Sequence, residues 1–162
     1  NLNIVGNIGV NDLSPTTTVR GIYVTGVSNA LIMLNSMLNA SYRSIHVANA
    51  VSPCSNVKVV YNIVDQVISV DTAQDDIVVK HNLGHRTENS GVATFSGDDS
   101  TTQFKIAHGL VKAPSKVIVT PLSADAKDFA YAEADDTYIY FNFSAAPPSG
   151  TDNVKLSWYA EV

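Results

Sequence analysis

The sequence has little cysteine and little charge, and each shortage excludes a class of protein. Cys54 is the one cysteine among 162 residues, so no internal disulfide can stabilise the fold. Charged residues make up 15% of the chain, with ten basic residues, fifteen acidic residues and a formal net charge of −5. Because the chain has no basic run, a nucleic-acid partner is not expected.

Long apolar runs are also missing. The longest, at residues 30–34, is far shorter than the roughly 20 residues of a membrane-spanning helix, and no signal-peptide pattern opens the chain. A 45% apolar content with so little charge nevertheless predicts a folded core. We therefore expect a soluble protein, and because the sequence opens at Asn1 without a methionine, we expect it to be a fragment of a longer one.

Aromatic residues are scarce in the first part of the chain. Residues 1–90 contain only Tyr23, Tyr42 and Tyr61, whereas the remaining 72 residues hold the other ten aromatics. Asparagine is distributed the opposite way, with twelve of its fourteen copies before residue 91. The two parts of the chain therefore build their cores from different residue types. We predict two domains, 1–90 and 91–162, divided near the polar stretch 87–91.

A repeat with a fixed spacing is the clearest signal in the first part. The pattern Ile-x-Val begins at Ile22, Ile45 and Ile68, so the step is 23 residues both times. Short strands that recur at this spacing are typical of a β-solenoid, in which stacked coils lie about 4.8 Å apart. The first domain is therefore predicted to consist of right-handed parallel β-helix coils, with the repeated Ile and Val side chains pointing inward.

A second repeated element ends in asparagine. Strand-like stretches lead to Asn35, Asn62 and Asn82, and Asn7 closes what resembles an earlier copy. Asparagine side chains stacked at one corner can hydrogen-bond from coil to coil as an amide ladder. The alternative is a helix over residues 28–42, where some apolar residues fit a helical stripe, but the Val-rich stretches that follow in the next copies do not.

The second domain is predicted to be antiparallel. Alternating apolar residues between turn-forming stretches indicate six short strands, which suggest a small β-sandwich of jelly-roll-like type. The predicted strands cover residues 92–95, 103–107, 116–120, 129–133, 137–143 and 153–159.

Catalytic and metal-binding motifs are weak. The chain has neither a Walker-type phosphate loop nor a Gly-x-Ser-x-Gly elbow. The histidines His46, His81, His85 and His108 are not spaced as a helical zinc site, and the loop aspartates match no calcium loop. We interpret them as structural histidines and turn-forming aspartates, and no metal is expected.

Two arginines form a candidate anion site. Arg20 and Arg43 each lie two residues before the repeated isoleucine, so they would stack at a corner of neighbouring coils, with Gln66 in the next. Stacked like charges are unfavourable unless an anion lies between them. That anion could be a carboxylate of a neighbouring chain, such as Asp12, or a bound phosphate. The alternative is a pair of solvated arginines that point apart.

Several motifs of the second domain resemble a known family. They are FSGDDSTTQFKIAHGL at 95–110, APSKV at 113–117, ADA at 124–126 and APPSGT at 146–151. They are similar to the C-terminal β-domain of parallel β-helix proteins of phage tails. With the predicted coils, the whole chain resembles the end of a phage tailspike, the family that includes the pre-neck appendages of short-tailed Bacillus phages.

The resemblance implies a function in assembly. In tailspikes of this kind the C-terminal part is an intramolecular chaperone, which trimerises three chains and is then released by self-cleavage. It implies a homotrimer, the upstream part of its own precursor as a partner, ATP as a possible ligand, and a location in the virion tail or, after release, the host cytoplasm. β-Solenoid pairing is non-local and slow, which is a physical reason for such a domain.

The chemistry of such a cleavage is constrained by the residues near the N terminus. Asn1 has no hydroxyl or thiol, so the nucleophile would be water or an upstream side chain. Asn1 and Asn3 could orient the bond or stabilise an oxyanion. Asp12 is the nearest candidate base in sequence, in the same chain or in another chain of a trimer, and is otherwise an ordinary turn residue.

A second function remains open. The chain could be a carbohydrate-binding module attached to a β-helix enzyme that degrades polysaccharides. The stacking residues would then be Tyr131, Tyr138, Tyr140, Trp158 and Tyr159. In that case some of these rings must be exposed, whereas in an assembly domain they belong to a core or an interface.

Overall fold

The computed structural model describes residues 2–10, 20–38, 40 and 42–162. It divides the chain into two compact units, Asn1–Arg86 and Thr87–Val162, whereas the sequence placed the division at residue 90. The described residues are nearly all β, in parallel and antiparallel sheets, and their one helical element is a 3-10 turn at Ala124–Ala126. Within this part of the chain, no helix is long and apolar enough to cross a membrane.

The described residues of the first unit form three parallel sheets. One contains β1, β4, β7 and β10, the second β2, β5 and β8, and the third β3, β6 and β9, so successive strands visit the three sheets in a fixed order. Their bounds are β1 (Leu2–Val5), β2 (Ile8–Val10), β3 (Arg20–Thr25), β4 (Ser28–Met33), β5 (Ser36–Leu38), β6 (Arg43–Ala48), β7 (Ser55–Val60), β8 (Ile63–Val64), β9 (Ile68–Val70) and β10 (Asp75–Lys80).

The 23-residue repeat corresponds to the third sheet. Ile22 pairs with Ile45, and Ile45 pairs with Ile68, so the three isoleucines form one column across β3, β6 and β9. All three are buried in the apolar core of the first unit. The prediction that these positions stack and point inward is confirmed.

The asparagine ladder is also present. Asn7 donates to the side-chain oxygen of Asn35 from its backbone and side-chain nitrogens, at 3.0 Å in each case. Asn35 repeats both bonds to Asn62, and Asn62 repeats them to Asn82. Asn35, Asn62 and Asn82 are buried, so the ladder satisfies polar groups that the bend would otherwise leave unpaired.

Each ladder asparagine follows a residue with left-handed backbone. Gly6, Leu34, Tyr61 and His81 have φ between 55° and 71°. This conformation turns the chain at the end of each strand of the first sheet, and after β1, β4 and β7 it leads into the second sheet. The helix alternative over residues 28–42 is therefore wrong. β4 ends at Met33, and β5 begins only after this corner.

The second unit consists of two three-stranded antiparallel sheets, ordered β11-β16-β13 and β12-β15-β14. All six predicted strands are confirmed, with β11 and β16 longer than expected at both ends. Their bounds are β11 (Glu88–Gly97), β12 (Gln103–Ala107), β13 (Lys116–Pro121), β14 (Phe129–Ala134), β15 (Tyr138–Phe143) and β16 (Gly150–Glu161).

Inner side chains of both sheets share one apolar core. Phe141 and Ile139 of β15 and Leu156 and Val154 of β16 are fully buried there. Trp158 is buried as well, and its indole lies against Gly91, where an added Cβ would approach the ring nitrogen to 3.2 Å. The scarcity of charge in the sequence is consistent with this packing.

Candidate functional site

The two arginines predicted to stack lie side by side. Arg20 is the first residue of β3 and Arg43 the first of β6, and the two pair in register. The predicted stacking is confirmed, with one correction. The arginines are the first residues of the strands rather than corner residues, because the backbone pairing of β3 with β6 extends to these positions.

Tyr42 lies against both guanidinium groups. Its ring centroid is 4.3 Å from the guanidinium carbon of Arg43 and 5.4 Å from that of Arg20. Arg20 also lies over Tyr23, at 5.1 Å. The negative faces of aromatic rings attract cations, so these contacts reduce the repulsion between the two like charges. Both guanidinium groups therefore lie at the ring of Tyr42.

Arg43 belongs to a further chain of polar contacts. Its Nη1 lies 3.0 Å from Nδ1 of His46, and Nε2 of His46 lies 2.8 Å from Oδ1 of Asp71. Nη1 of Arg43 also lies 3.1 Å from Nε2, so the guanidinium lies over the imidazole ring. The Asp71 carboxylate can only accept, so Nε2–H of His46 donates to it. His46 is buried, and the ring of Tyr23 packs edge-on against it at 5.3 Å.

The carboxylate of Asp71 is stabilised in its charged form. The hydrogen bond from His46 lowers the pKa of Asp71 below its ordinary value, and the backbone N–H of Asn49 and the charge of Arg43 act in the same direction. Asp71 in turn fixes the orientation of the imidazole beside Arg43. We name Arg20, Tyr23, Tyr42, Arg43, His46 and Asp71 the arginine cluster.

The arginine cluster suits anion binding better than covalent chemistry. Guanidinium groups present forked donors that match phosphate and carboxylate oxygens. Arg20 has no carboxylate partner among the described residues, and it is exposed. Neither serine nor cysteine belongs to the cluster, so it offers two positive charges and aromatic surface rather than a nucleophile.

Comparisons with known proteins show a structural likeness but no match in sequence. No family model matches the chain, and no curated protein matches it. Among solved structures it is similar to the tailspike protein from Pseudomonas phage LKA1. The sequence identity is 12% and the TM-score 0.39, over 87% of this chain and 30% of that one. The chain thus spans less than a third of that protein, and the fold described here rests on its own strand pairings.

The predicted cleavage residues are only partly described. Asn1 and Asp12 lie outside the described residues. Asn3 lies in β1, opposite Leu31 of β4, with its side chain exposed on the outer side of the sheet. The structure therefore brings Asn3 close to no other predicted site residue that it describes.

The histidines and loop aspartates have structural partners. His108 is fully buried, its Nε2 lies 3.0 Å from the carbonyl of Asp135, and its Nδ1 accepts from the backbone of Leu110. Asp98 accepts bonds from the backbone and hydroxyl of Thr101, which lower its pKa. Among the described residues, no group of three His, Cys, Asp or Glu could hold a metal ion.

Sequence reasoning missed four members of the cluster, which are Tyr23, Tyr42, His46 and Asp71. His46 occupies the middle position of an Ile-x-Val repeat, where Tyr23 is its register partner. When the isoleucine and valine of such a repeat point inward, the residue between them points outward. The pairing of Tyr23 with His46 on the outer side could therefore have been predicted from the repeat. Nothing in the spacing of Asp71 revealed its contact, since the partner lies 25 residues away.

Proposed function

We propose that this chain is the assembly module of a phage tailspike. It trimerises three chains as an intramolecular chaperone and is released by self-cleavage. In this proposal the first unit forms coils of a right-handed parallel β-helix, and the second unit is a small jelly-roll-like β-sandwich. The fixed order in which the chain visits its three parallel sheets and the family-like motifs of the second unit support it.

The trimer proposal rests on one observation, an exposed apolar column on the first unit. It runs along the corner where strands of the first sheet lead into the second, beside the asparagine ladder. We name this column the apolar corner. Its members are Val5, Ile8, Leu34, Tyr61, Ile63 and Leu83, which are between 45% and 80% exposed.

The apolar corner is regular as well as exposed. Leu34 and Tyr61 occupy equivalent turn positions, and the ring of Tyr61 stacks on His81, 5.2 Å away, at the next one. Ile63 pairs with Leu83 on the far side of the turn. Exposed apolar side chains that cluster in this way mark an interaction site. A repeated column also sets the register between identical chains that pack along it.

The first coil offers a template for the rest of a precursor. β1, β2 and β3 each lie at one edge of their sheets, and no strand of the described residues pairs with their outer side. Unpaired edges promote misassembly. A module that gathers three chains raises their effective concentration and limits such pairing. We propose that these edges receive the upstream part of the precursor, in the virion tail or during assembly in the host cytoplasm.

Self-cleavage would occur next to this edge. In our proposal water or an upstream side chain attacks the bond before Asn1, Asp12 acts as the base, and Asn1 and Asn3 orient the bond or stabilise the oxyanion. A base supplied by a neighbouring chain would make cleavage depend on trimerisation. In this proposal the cleaved bond belongs to the precursor itself, and no external substrate takes part.

The test uses a precursor that carries the natural sequence before Asn1. We expect two bands on a denaturing gel for the unchanged precursor, and one band for the Asp12→Asn variant. The Asp75→Asn variant is the control, because it removes an exposed carboxylate of the same unit from the start of β10. An unchanged precursor that stays uncleaved after native expression would contradict self-cleavage.

We propose that the arginine cluster binds the anion predicted from the sequence, which is a phosphate or a carboxylate of a neighbouring chain. A nucleotide such as ATP fits its chemistry, since two guanidinium groups would contact phosphate oxygens and the rings of Tyr23 and Tyr42 offer surface for a base. A carboxylate from a neighbouring chain would use the same donors. Both possibilities place Arg20 and Arg43 in the binding role.

A further inference from the structure

The outer face of the sheet β12-β15-β14 is polar and aromatic. Along β15, Ile139 and Phe141 point into the core, while Tyr138, Tyr140 and Asn142 point outward and are half-buried. Alternation along a strand separates these two sets. The outward residues of the neighbouring strands are exposed, and we name the whole surface the tyrosine face.

The aromatic rings of the tyrosine face are held in place. The hydroxyl of Tyr140 donates to Oδ2 of Asp135 at 2.8 Å. The ammonium of Lys105 lies 4.4 Å from the ring centroid of Tyr138. The two ring centroids are 6.2 Å apart. Rings fixed in this way form a preorganised surface, which lowers the entropy cost of binding a ligand.

Hydrogen-bonding groups surround the rings. Cross-strand pairing places Gln103 beside Asn142, where Nε2 of Gln103 donates to Oδ1 of Asn142 at 2.8 Å. On the other side Glu133 lies opposite Tyr140. A shallow depression of about 400 Å³ lies here, lined by Gln103, Glu133, Asp135 and Tyr140. That volume suits a few sugar rings or a similar small ligand.

The charges of the tyrosine face select among ligands. Lys105 supplies one positive charge and Glu133 and Asp135 supply two negative charges, so the face is slightly acidic. A phosphate or an acidic polysaccharide would be repelled. Carboxylate oxygens instead accept strong hydrogen bonds from hydroxyl groups. Exposed aromatic rings pack against the apolar face of a sugar ring, and Tyr131, 57% exposed, extends the surface beside Asn142.

We propose that the tyrosine face binds a neutral oligosaccharide. The five aromatic residues that the sequence offered for stacking on a sugar lie in three different places. Tyr131, Tyr138 and Tyr140 share this face, Trp158 is buried in the core, and Tyr159 points outward from the opposite sheet. This binding site adds recognition of a glycan to the proposed assembly function and does not depend on it.

The test measures binding to the full chain by calorimetry and saturation-transfer NMR. The probes are soluble hexamers of neutral glucans and chitin, with heparin as an acidic probe. We expect a neutral hexamer to bind and heparin not to bind. The Tyr140→Ala variant should bind at least about tenfold more weakly, which corresponds to about 1.4 kcal/mol. Tyr140→Phe keeps the ring and should retain most of the affinity.

The matched control is Tyr159→Ala, which removes a half-buried tyrosine from the outer side of the other sheet. Its affinity should equal that of the unchanged chain. Two results would overturn the proposal. One is the absence of binding by every neutral hexamer at millimolar concentration. The other is a lower solution mass for Tyr140→Ala, because the tyrosine face would then be an interface between copies of the chain.

Discussion

The side-chain oxygen of Asn62 accepts two hydrogen bonds from Asn35, one from the backbone N–H and one from the side-chain amide, each 3.0 Å long. Asn62 then donates two equivalent bonds to Asn82. The amide nitrogen of Asn62 also reaches the carbonyl of Ile32 at 3.1 Å. One buried side chain therefore links the three turns that follow β4, β7 and β10.

The ladder predicts a large effect for a small substitution. Asn62→Ala removes the acceptor of two buried donors of Asn35 and the donor that serves Asn82. Each buried polar group left unpaired costs roughly 1–3 kcal/mol. We expect the free energy of unfolding, measured by urea denaturation, to fall by about 2–4 kcal/mol.

Asn3→Ala is the matched control for this substitution. Asn3 lies in the same unit, and its side chain is exposed on the outer side of β1. We expect its free energy of unfolding to change by less than about 0.5 kcal/mol. Equal effects of the two substitutions would show that the ladder does not stabilise the parallel sheets of the first unit.

The arginine cluster predicts an anion site that depends on both arginines. In the variant Arg20→Gln/Arg43→Gln, the affinity for a nucleoside triphosphate should fall at least about tenfold, since hydrogen bonds to charged groups contribute roughly 1.5–3 kcal/mol each. The affinity of the unchanged chain should also decrease as salt is added. Calorimetric titration measures both effects.

A charge-matched control separates this site from a general electrostatic effect. The variant Lys58→Gln/Arg86→Gln removes two positive charges of the same unit outside the arginine cluster. Its affinity for the triphosphate should remain close to that of the unchanged chain. An equal loss in both variants, or no loss in either, would contradict the assignment of the site.

The turn at Asp135 predicts that the free energy of unfolding depends on pH in the acidic range. Backbone N–H groups of Tyr138 and Thr137 and the hydroxyl of Tyr140 hold the pKa of Asp135 below its ordinary value of 3.8. The charged carboxylate therefore contributes stability above that pH, and the contribution is lost as the pH falls below 3.8 through the folded pKa. In Asp135→Asn this part of the acid dependence should disappear.

Urea denaturation between neutral and acidic pH measures that dependence. Asp152→Asn is the control, because asparagine tolerates the left-handed backbone at this position, where φ is 52°. The control should show the same slope of stability against pH as the unchanged chain. A slope that is equally steep in Asp135→Asn would contradict the assigned hydrogen bonds.

Strand positions could be predicted from the sequence because their signals are local. The spacing of Ile22, Ile45 and Ile68 predicted one column, and alternation along β15 predicted its inner and outer faces. The ladder was predictable too, since Asn35 and Asn62 recur at one corner. In these cases identical residues occupy equivalent positions, so one physical rule applies to each copy.

The arrangement of the candidate site could not be predicted in the same way. The position of Tyr42 against both guanidinium groups depends on side-chain geometry at a strand end, which no periodicity encodes. Leu34 and Tyr61 adopt a left-handed backbone that residues with a Cβ rarely favour, so the sequence alone did not indicate that these residues turn the chain before each ladder asparagine. Tertiary contacts determine both features.

The solution mass of the full chain tests the central proposal most directly. Light scattering at several concentrations should give about 52 kDa, three times the chain mass of 17.3 kDa. The variant Leu34→Asn/Tyr61→Asn should lower it, because each apolar side chain removed from the interface costs roughly 1.5–3 kcal/mol, while asparagine retains the left-handed corner. Ile118→Thr, an exposed apolar position of the second unit, is the control and should keep the trimer. A mass of one chain at every concentration would contradict the assembly function.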